Sequence, residues 1–562
     1  MTTIPSSPLL IAGAGPVGLA LGVELARRQV PFRIFDRAPA RSTASKALGI
    51  FPRTLEVFAA MGVLPPALAA GHLLHGLRVH SASRQLAHIA FAELDTPYPH
   101  LLSLPQSETE RILAEHLTSL GVEVERRTEL AALTQDAEGV TATLRHSAGG
   151  DGAAGREEVV RTPWLLGCDG AHSTVRHQLG ASFEGAPYEE GFVLADFEGD
   201  VPCPEDELSL FFHPQGLLGL FPFGHGRYRM IADLPREAGA AAESAPRPEP
   251  NRAEIQQWID ERGPGGVELR SLLWVSRFRI SRRMVGAYRH GRVLLAGDAA
   301  HIHSPAGGQG MNTGIQDAWN LGWKLALVAA QEAPAALLDS YGAEREPVAR
   351  AVLHLTDRLT ETALLIDHPF AQRLRDLVLP LLTGIGPLAH RIADTLAELA
   401  VAYRQSPIVA EHWGLPLPGL HSAGPAAGDR APDGALEELG TGAPRRLFEL
   451  FREPRHTLLL FAGSRATREA PSPLDLCELG RVLAGEYPRL LLPHLILPAA
   501  RATEDPGAGT ARWRDPEGAV HHRYGADSPC LYLIRPDGYV AYRSLGIDTV
   551  PLLQYLERIG LA

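Results

Sequence analysis

The chain has 562 residues, 45% of them hydrophobic and 21% charged, with a formal net charge of −12. That length predicts roughly two to four domains with sizeable cores, and the ordinary balance of apolar and charged residues excludes a disordered chain or a fibre. The acidic excess argues against nucleic acid or an anionic membrane as partner, because both are bound through surplus Lys and Arg.

Leu9 to Ala12 is a short apolar run followed by Gly13-Ala14-Gly15-Pro16-Val17-Gly18 and then by the helix-forming stretch LALGVELARR. Pro8 to Val23 is uncharged, but no basic residue precedes it, so it reads as strand, turn and helix rather than as a signal peptide. In this GxGxxG the first glycine permits the tight turn and the second lets backbone approach a pyrophosphate. The third lets helix pack on strand, and the helix N-terminus faces the phosphates. A second strand, Phe32 to Phe35, ends in Asp36. An acid about 20 residues past the glycines accepts hydrogen bonds from a ribose 2′-hydroxyl, which favours an unphosphorylated adenosine such as that of FAD or NAD.

Arg41 to Leu48 is small and polar, as a loop over a cofactor would be, and a helix is expected from Arg53. Lys46 and Arg53 could meet phosphates, although a solvated role is the ordinary one for either. From Leu101 a strand with Gln106 at its mouth leads into a helix capped by Ser107. A hairpin turning in the Gly- and Ala-rich Ser147 to Gly155 then gives way to WLLGCDGAHSTVR, a buried strand ending in Asp169-Gly170.

Between Phe183 and Ile280, alternation in FVLADFEGD, ELSLFFHP, GLLGLFPF, RYRMIAD and RSLLWVSRFRI predicts an inserted antiparallel sheet, with the Pro- and Ala-rich Pro235 to Pro250 as a mobile surface loop. Phe212, Phe221, Phe223 and Trp274 could wall an aromatic pocket, although aromatics in strands are core residues more often than ligand contacts. His213 and Arg229 are candidates to bind or deprotonate a phenol, against the plainer reading that strand-end polar residues face solvent.

RVLLA (Arg292 to Ala296) is a further short strand, and it delivers GDAAHIHSPAGGQGMN (Gly297 to Asn312). Small neighbours let the Asp298 carboxylate approach a hydroxyl-bearing ligand. Gly307, Gly308 and Gly310 leave their amides bare for phosphate or an electron-rich ring edge. Ile315, Ala318, Trp319, Gly322, Trp323 and Ala326 recur at helical spacing, so a helix begins beside these glycines and points its positive end at their ligand. Strands thus end in small-residue turns before Gly13, Asp169 and Asp298, and in an open α/β sheet such ends can line one extended cofactor.

Leu337 to His390 reads as mostly helical, and within it Leu377 to Ala389, broken by Pro380 and Pro387, is too short to span a membrane. The Pro- and Gly-rich Pro416 to Gly434 marks a domain boundary. Beyond it, the apolar runs LFELF, HTLLLFAG and LLLPHLILP alternate with a helix near Pro473 to Leu483. A CLYLIRPDGYVAYR hairpin turning at Pro536-Asp537-Gly538 and a last helix from Val550 complete the chain. Cys168, Cys203, Cys477 and Cys530 are widely spaced without a CxxC pair, so neither a disulfide framework nor a zinc site is expected, and a reducing cytoplasm fits best.

GAGPVG, CDGAHSTVR and GDAAHIHSPAGGQGMN, in this order, resemble the three fingerprints of the class A flavoprotein monooxygenases, the para-hydroxybenzoate hydroxylase family. YRHGRVLLAGDAAH, QDAWNLGWKLALV and AAGDRAPDGAL resemble the long phenol hydroxylases of the pentachlorophenol 4-monooxygenase type and the aromatic polyketide hydroxylases. The resemblance implies an α/β fold with a Rossmann-like FAD-binding domain (1–182, and 284–414 with connecting helices), an inserted antiparallel β-sheet substrate domain (183–283) and a C-terminal thioredoxin-like domain (424–562). Lacking CxxC, that last domain would serve packing or homodimerisation.

The resemblance also assigns the cofactor site. Gly13, Gly15 and Gly18 would hold the FAD pyrophosphate, Asp36 the adenine ribose, Pro16, Val17, Arg37, Lys46 and Gln106 further parts of the cofactor, and Asp298 its ribityl or pyrophosphate region. Gly307, Gly308, Gly310, Met311 and Asn312 would edge the flavin ring. Asp169 and Gly170 would serve the region between FAD and the nicotinamide, and Pro305 would present its carbonyl near the oxygen-activating face. Many relatives have arginine where Lys46 stands. Leu48, near the substrate, replaces an acidic residue of fungal phenol hydroxylase, so no base is expected there.

The implied reaction takes hydride from NADPH or NADH to FAD and forms a flavin C4a-hydroperoxide with O2, which hydroxylates a small phenolic or polycyclic aromatic substrate. Only one dinucleotide fingerprint is present, so the nicotinamide would dock without a Rossmann domain of its own. Baeyer–Villiger insertion by the same flavin and a flavin-binding partner that turns over no NAD(P)H are the rival readings. A halogenase fits less well, because the WxWxIP motif is missing and Trp319 and Trp323 lie in a helix. No metal is expected.

Overall fold

Leu9–Ala12, Leu165–Gly167 and Val293–Leu295 are short apolar strands with every residue buried, and they lie side by side in parallel register at the centre of the first sheet. Phe32–Asp36 and Val124–Arg126 extend that sheet in the same direction, and the antiparallel Arg289–His290 closes its other edge, giving six strands in all. Strands this short and continuously apolar need cover on both faces. Part of that cover is Pro16–Arg27 packed on Gly310–Ala329, so closely that a Cβ on Gly322 would lie 2.8 Å from Glu24 Cβ. The small antiparallel sheet Thr128–Gln135, Val140–His146 and Arg156–Thr162 joins the same core through Leu130, Val140 and Leu144. This computed structural model describes residues 7–43, 45, 47–81, 84–147, 155–234, 249–302, 308–364, 386–413, 424–465, 471–501 and 510–561.

All five predicted strand segments between Phe183 and Ile280 lie in one eight-stranded sheet, as Phe183–Asp200, Glu207–His213, Gly216–Gly224, Arg227–Asp233 and Glu268–Val285. The sheet reaches beyond 183–283. The hairpin Gly76–Ser81 and Arg84–Ala90 joins it by parallel pairing with Glu207–His213, and His301–Ile302 pairs at the opposite edge. Successive strand residues point to opposite faces. Val193, Ala195, Phe211, Leu218, Leu220, Met230 and Ala232 pack on Ile255 and Ile259 of the helix Arg252–Arg262. The alternate residues Leu194, Phe212, Leu217, Phe221 and Ile231 face a cavity.

The C-terminal unit is built on His456–Phe461, which pairs in parallel with Leu491–Pro498 across the helix Pro473–Glu486 and antiparallel with Cys530–Ile534. Val540–Leu545 completes the hairpin, and the helix Val550–Arg558 follows. The hairpin turns at Pro536-Asp537-Gly538 as expected, yet its Asp537 is buried against the helix Gly310–Ala329 rather than solvated. Asp537 accepts from Trp323 Nε1 at 3.1 Å and, through its carbonyl, from Trp319 Nε1 at 3.2 Å. Arg535 donates twice to Glu344, at 2.6 and 2.9 Å, and Lys324 Nζ reaches the same carboxylate at 2.7 Å, all of them buried.

Three local expectations change. Arg53 meets no phosphate, because it is buried against Glu56 at 2.7 Å and the Asp537 carbonyl at 2.8 Å. The helix expected to be capped by Ser107 starts two residues earlier, as Gln106–Ser119 with Pro105 at its cap, so Ser107 is inside it. LFELF, grouped with the strands, forms the short helix Leu447–Leu450. The turn at 148–154, the loop at 235–248, the apolar stretch before 386 and the boundary at 414–423 lie outside the described residues. Among the described residues no helix is long and apolar enough to cross a membrane.

Glu344 pairs with the buried Lys324 and shares the buried Arg535 with Asp537, so Glu344→Ala strips Lys324 of its carboxylate and leaves Arg535 with Asp537 alone. Denaturant unfolding should show a loss of about 3–5 kcal/mol, the usual range for breaking a buried pair from one side.

Candidate active site

Where the carboxyl ends of the parallel strands meet the inner face of the eight-stranded sheet lies a cavity of about 1710 Å³. That exceeds the roughly 300–1,000 Å³ of a pocket for one small ligand. Its lining includes Gly13, Gly15, Pro16, Val17, Asp36, Arg37, Gln106, Asp169, Gly170, Asp298, Gly308, Gly310 and Met311. The three strand ends read from the sequence therefore converge on one space.

The glycines of the first turn divide their work. Gly13 has φ +98°, and a Cβ there would lie 2.4 Å from the Cys168 carbonyl oxygen, so this turn and the Asp169 turn touch through bare backbone. A Cβ on Gly18 would lie 2.0 Å from the Gly13 carbonyl oxygen, which makes that glycine a packing requirement outside the cavity lining. At Gly15 a Cβ would meet nothing within 4 Å, so the space beside it belongs to the cavity. Neither Pro16–Arg27 nor Gly310–Ala329 has a side-chain cap, which leaves two positive helix ends at this wall.

The carboxylates differ in what already holds them. Asp36 accepts the amides of Ala14 and Ala38, each at 2.8 Å, which ties the second strand end to the glycine turn. Asp169 accepts from Ser173 Oγ at 2.5 Å and from the Val175 amide at 3.1 Å, capping the short helix Thr174–Gln178. Gly170 beside it, with φ +79°, has open space where a side chain would stand. Asp298 lies in the single turn Gly297–Ala299.

That turn is braced from behind by Asp317, which accepts from the Gly297 amide at 3.1 Å, His301 Nε2 at 2.7 Å and Arg345 Nε at 2.7 Å. Burial pushes the Asp317 carboxyl up, but Arg345 and His301 outweigh it and hold the group below the usual range. Gln106 lines the cavity while donating to Glu110 at 3.0 Å. Asn312, assigned to the flavin edge, has its side chain turned away as a brace: it accepts the Phe51 amide at 2.9 Å and donates to the Gly49 and Gly308 carbonyls at 2.8 and 3.2 Å. Lys46, Pro305 and Gly307 lie outside the described residues.

Of the pocket residues read from the sequence, Leu48, Phe212, Phe221 and Arg229 line the cavity, and Phe223, Trp274 and His213 do not. His213 follows Phe212 directly in a strand, so the two must point to opposite faces. Burial first and Arg262 second lower its pKa, on the side of the sheet away from the cavity. Phe223 and Trp274 instead flank Arg229, with its guanidinium 5.6 and 5.5 Å from their ring centres. Arg229 is 1% exposed and grips Asp196, its cross-strand neighbour, at 2.7 and 2.9 Å. A guanidinium stays charged, so Arg229 can donate to a phenolic oxygen but cannot take its proton.

Sequence reasoning missed Phe192, Leu194, Ile231 and Phe278, which strand parity would have found from Phe212 and Phe221. It also missed Leu77, Val79 and Ile89 of the added hairpin and Ile392 and Leu396 of the helix Gly386–Leu396, for which no local signal existed.

Residues 6–356 match a family model described as an FAD binding domain. The chain is 36% identical to the 6-methylpretetramide 4-monooxygenase of Streptomyces rimosus, over 98% of this chain and 93% of that one. With the pentachlorophenol 4-monooxygenase of Sphingobium chlorophenolicum the identity is 33%, over 97% and 95%. Among solved structures, a ternary complex of aklavinone-11 hydroxylase with FAD and aklavinone superposes with a TM-score of 0.73 at 25% identity, covering 99% of each chain.

The two open-and-closed glycines separate binding from folding. Gly15→Val should fold normally and lose FAD affinity by about 10–100-fold, the effect of overfilling a packed site by about 1–3 kcal/mol. Gly18→Val, which drives a side chain into the Gly13 carbonyl, should instead lower the melting temperature. Flavin absorbance of the purified variants and their thermal unfolding distinguish the two.

Proposed function

The chain belongs to the class A flavoprotein monooxygenases, and from that premise we propose that it is an FAD- and NAD(P)H-dependent hydroxylase of a phenolic or polycyclic aromatic substrate. The observation that carries this reading is the continuity of one cavity from the three strand ends to the apolar face of the eight-stranded sheet. A dinucleotide at the strand ends and an aromatic compound against the sheet would share it, with the reacting parts of both at the junction.

The residues fit FAD. Gly15 leaves room for a pyrophosphate, and two uncapped helix ends supply positive potential. On this reading Asp36 takes the adenine ribose, Arg37 a further part of the cofactor, Asp298 the ribityl or pyrophosphate region, and Gly308, Gly310 and Met311 the ring edge. Asp169 and Gly170 take the side from which the nicotinamide approaches. The assignments of Lys46, Pro305 and Gly307 rest on the family pattern alone. When bound, FAD supplies the redox and oxygen chemistry, taking hydride from NAD(P)H and activating O2.

The chain's own part is orientation and exclusion of water. Leu194, Phe212, Leu217, Phe221 and Ile231 give the aromatic body an apolar wall, which keeps water from the reacting atoms. Arg229 is the polar anchor: its cation stabilises a phenolate and so favours the more electron-rich ring. We assign 1–182 and 284–414 to the FAD-binding domain, 183–283 to the substrate domain and 424–562 to a thioredoxin-like domain. The last assignment is supported by the parallel pair His456–Phe461 and Leu491–Pro498 across a helix, followed by an antiparallel hairpin and a closing helix. The buried Arg535 turn gives that unit a packing role. Four free cysteines support a reducing, cytoplasmic setting.

A screen of phenols and polycyclic aromatics should yield compounds that accelerate NAD(P)H oxidation without releasing hydrogen peroxide, and purified protein that stays colourless with FAD would end the reading. With such a compound, Arg229→Gln should raise KM by about 10–100-fold, as expected for losing a charge-assisted hydrogen bond of about 1.5–3 kcal/mol, with a smaller effect on kcat. An unchanged KM would remove Arg229 from the site.

A further inference from the structure

Just past the helix Gly386–Leu396, whose Ile392, Thr395 and Leu396 line the cavity, lies a buried carboxyl group that the reaction does not use. The Leu399 amide donates to the Asp394 carbonyl at 3.0 Å and the Glu398 amide to the Thr395 carbonyl at 3.2 Å. This bond pair closes a helix on a left-handed residue, for which glycine is the usual choice. Here the residue is Glu398, at φ +60° and 5% exposed. A side chain at that φ is strained where glycine would not be.

The glutamate side chain is turned inward. The Gln316 amide donates to its Oε2, while Oε1 is buried with no hydrogen-bond partner among the described residues. Gln316 sits on Gly310–Ala329, the helix whose first residues edge the cavity, and the Arg53 amide donates to the Ala397 carbonyl at 3.2 Å. Three segments of chain therefore meet at this corner. The charged groups facing it are Arg345 and Asp317 from behind and Arg53 from Pro52–Met61, and none of them forms an ion pair with it.

We propose that Glu398 is a positioning residue that latches the cavity-lining helix Gly386–Leu396 to the flavin domain while it carries a proton, and releases the helix when the proton leaves. Burial, only partly offset by Arg345, raises its pKa to about 8. A released, hydrated glutamate ionises near its ordinary value of about 4.3. Docking is therefore fully supported below about pH 4.3 and loses support as pH rises to about 8. Across that window release should grow about tenfold per pH unit, because one proton leaves with it, and above it release should level off. On the hydroxylase reading, release admits water to the substrate compartment and wastes NAD(P)H as hydrogen peroxide.

The test uses the full chain with FAD, as wild type, Glu398→Gln and Glu398→Gly. Hydrogen exchange of the amides from Ala393 to Leu399, corrected for the intrinsic pH dependence of exchange, should show opening that rises about tenfold per unit between about pH 5.5 and 7.5 in wild type. It should be flat in both variants. Glu398→Gln keeps a side chain at the left-handed φ and removes only the titrating group, so a flat profile there assigns the pH dependence to the carboxyl rather than to strain, while Glu398→Gly relieves the strain as well. With an aromatic effector, peroxide released per NAD(P)H should climb with pH in wild type and not in Glu398→Gln. A flat wild-type exchange profile, or a Glu398→Gln profile with the wild-type slope, overturns the latch. Failure of every aromatic compound to stimulate NAD(P)H oxidation would strike the hydroxylase reading instead, and the exchange profiles would still decide the role of Glu398.

Discussion

The structure depends on one requirement: the helix Gly310–Ala329 is buried along almost its whole length, yet it carries Gln316, Asp317, Asn320 and Lys324. A buried charge or amide is tolerated only with partners, and each of these finds one on a segment outside the helix. Asp317 is met by Gly297, His301 and Arg345, Gln316 by Glu398, and Asn320 and Lys324 by Glu344, which Arg535 shares. Trp319 and Trp323 reach the Asp537 turn. Segments distant in sequence are thereby held to one helix, and the N-terminal residues of that helix line the cofactor end of the cavity. The position of Gly308, Gly310 and Met311 is thus set by polar contacts many residues away, including contacts from the C-terminal unit.

That dependence bears on how much could be read from the residues alone. The strand ends at Gly13, Asp169 and Asp298 were legible because each is a local pattern, a short apolar run delivering small residues whose backbone conformation few other side chains allow. The five substrate-sheet strands were legible from alternation. What alternation also contains, and was not used for, is face: Phe212 and His213 cannot share a pocket, and Phe221 selects Leu217 as its companion. Phe223 and Trp274 have the right parity but lie beyond the cavity, packed around Arg229, a fact of strand length that no periodicity holds.

Other features left no local trace. Gly76–Ser81 joins the large sheet by parallel pairing with a strand far along the chain, and parallel neighbours need not be near in sequence. Pro536-Asp537-Gly538 has the composition of a solvated turn, and nothing around it in the sequence reveals the two indole N–H groups and the Arg53 guanidinium that wait for it. Arg53 illustrates the same blindness from the other side. A basic residue near a phosphate-binding loop invites a phosphate, but Glu56 one helical turn away had already claimed it.

The pair Arg229–Asp196 shows why the apolar compartment can hold a cation at all. A lone guanidinium on a wall of Leu, Ile and Phe side chains would draw in water or a stray anion to replace its lost hydration. Asp196 supplies that compensation from the neighbouring strand, bidentate and fixed by register. If Arg229 is the anchor proposed above, a hydrocarbon ring would gain nothing from this pair, whereas a ring bearing an ionisable hydroxyl would gain a cation held by Phe223 and Trp274. Preorganisation of that kind would discriminate by charge on the ring oxygen rather than by ring size, while the apolar face around it would set the size.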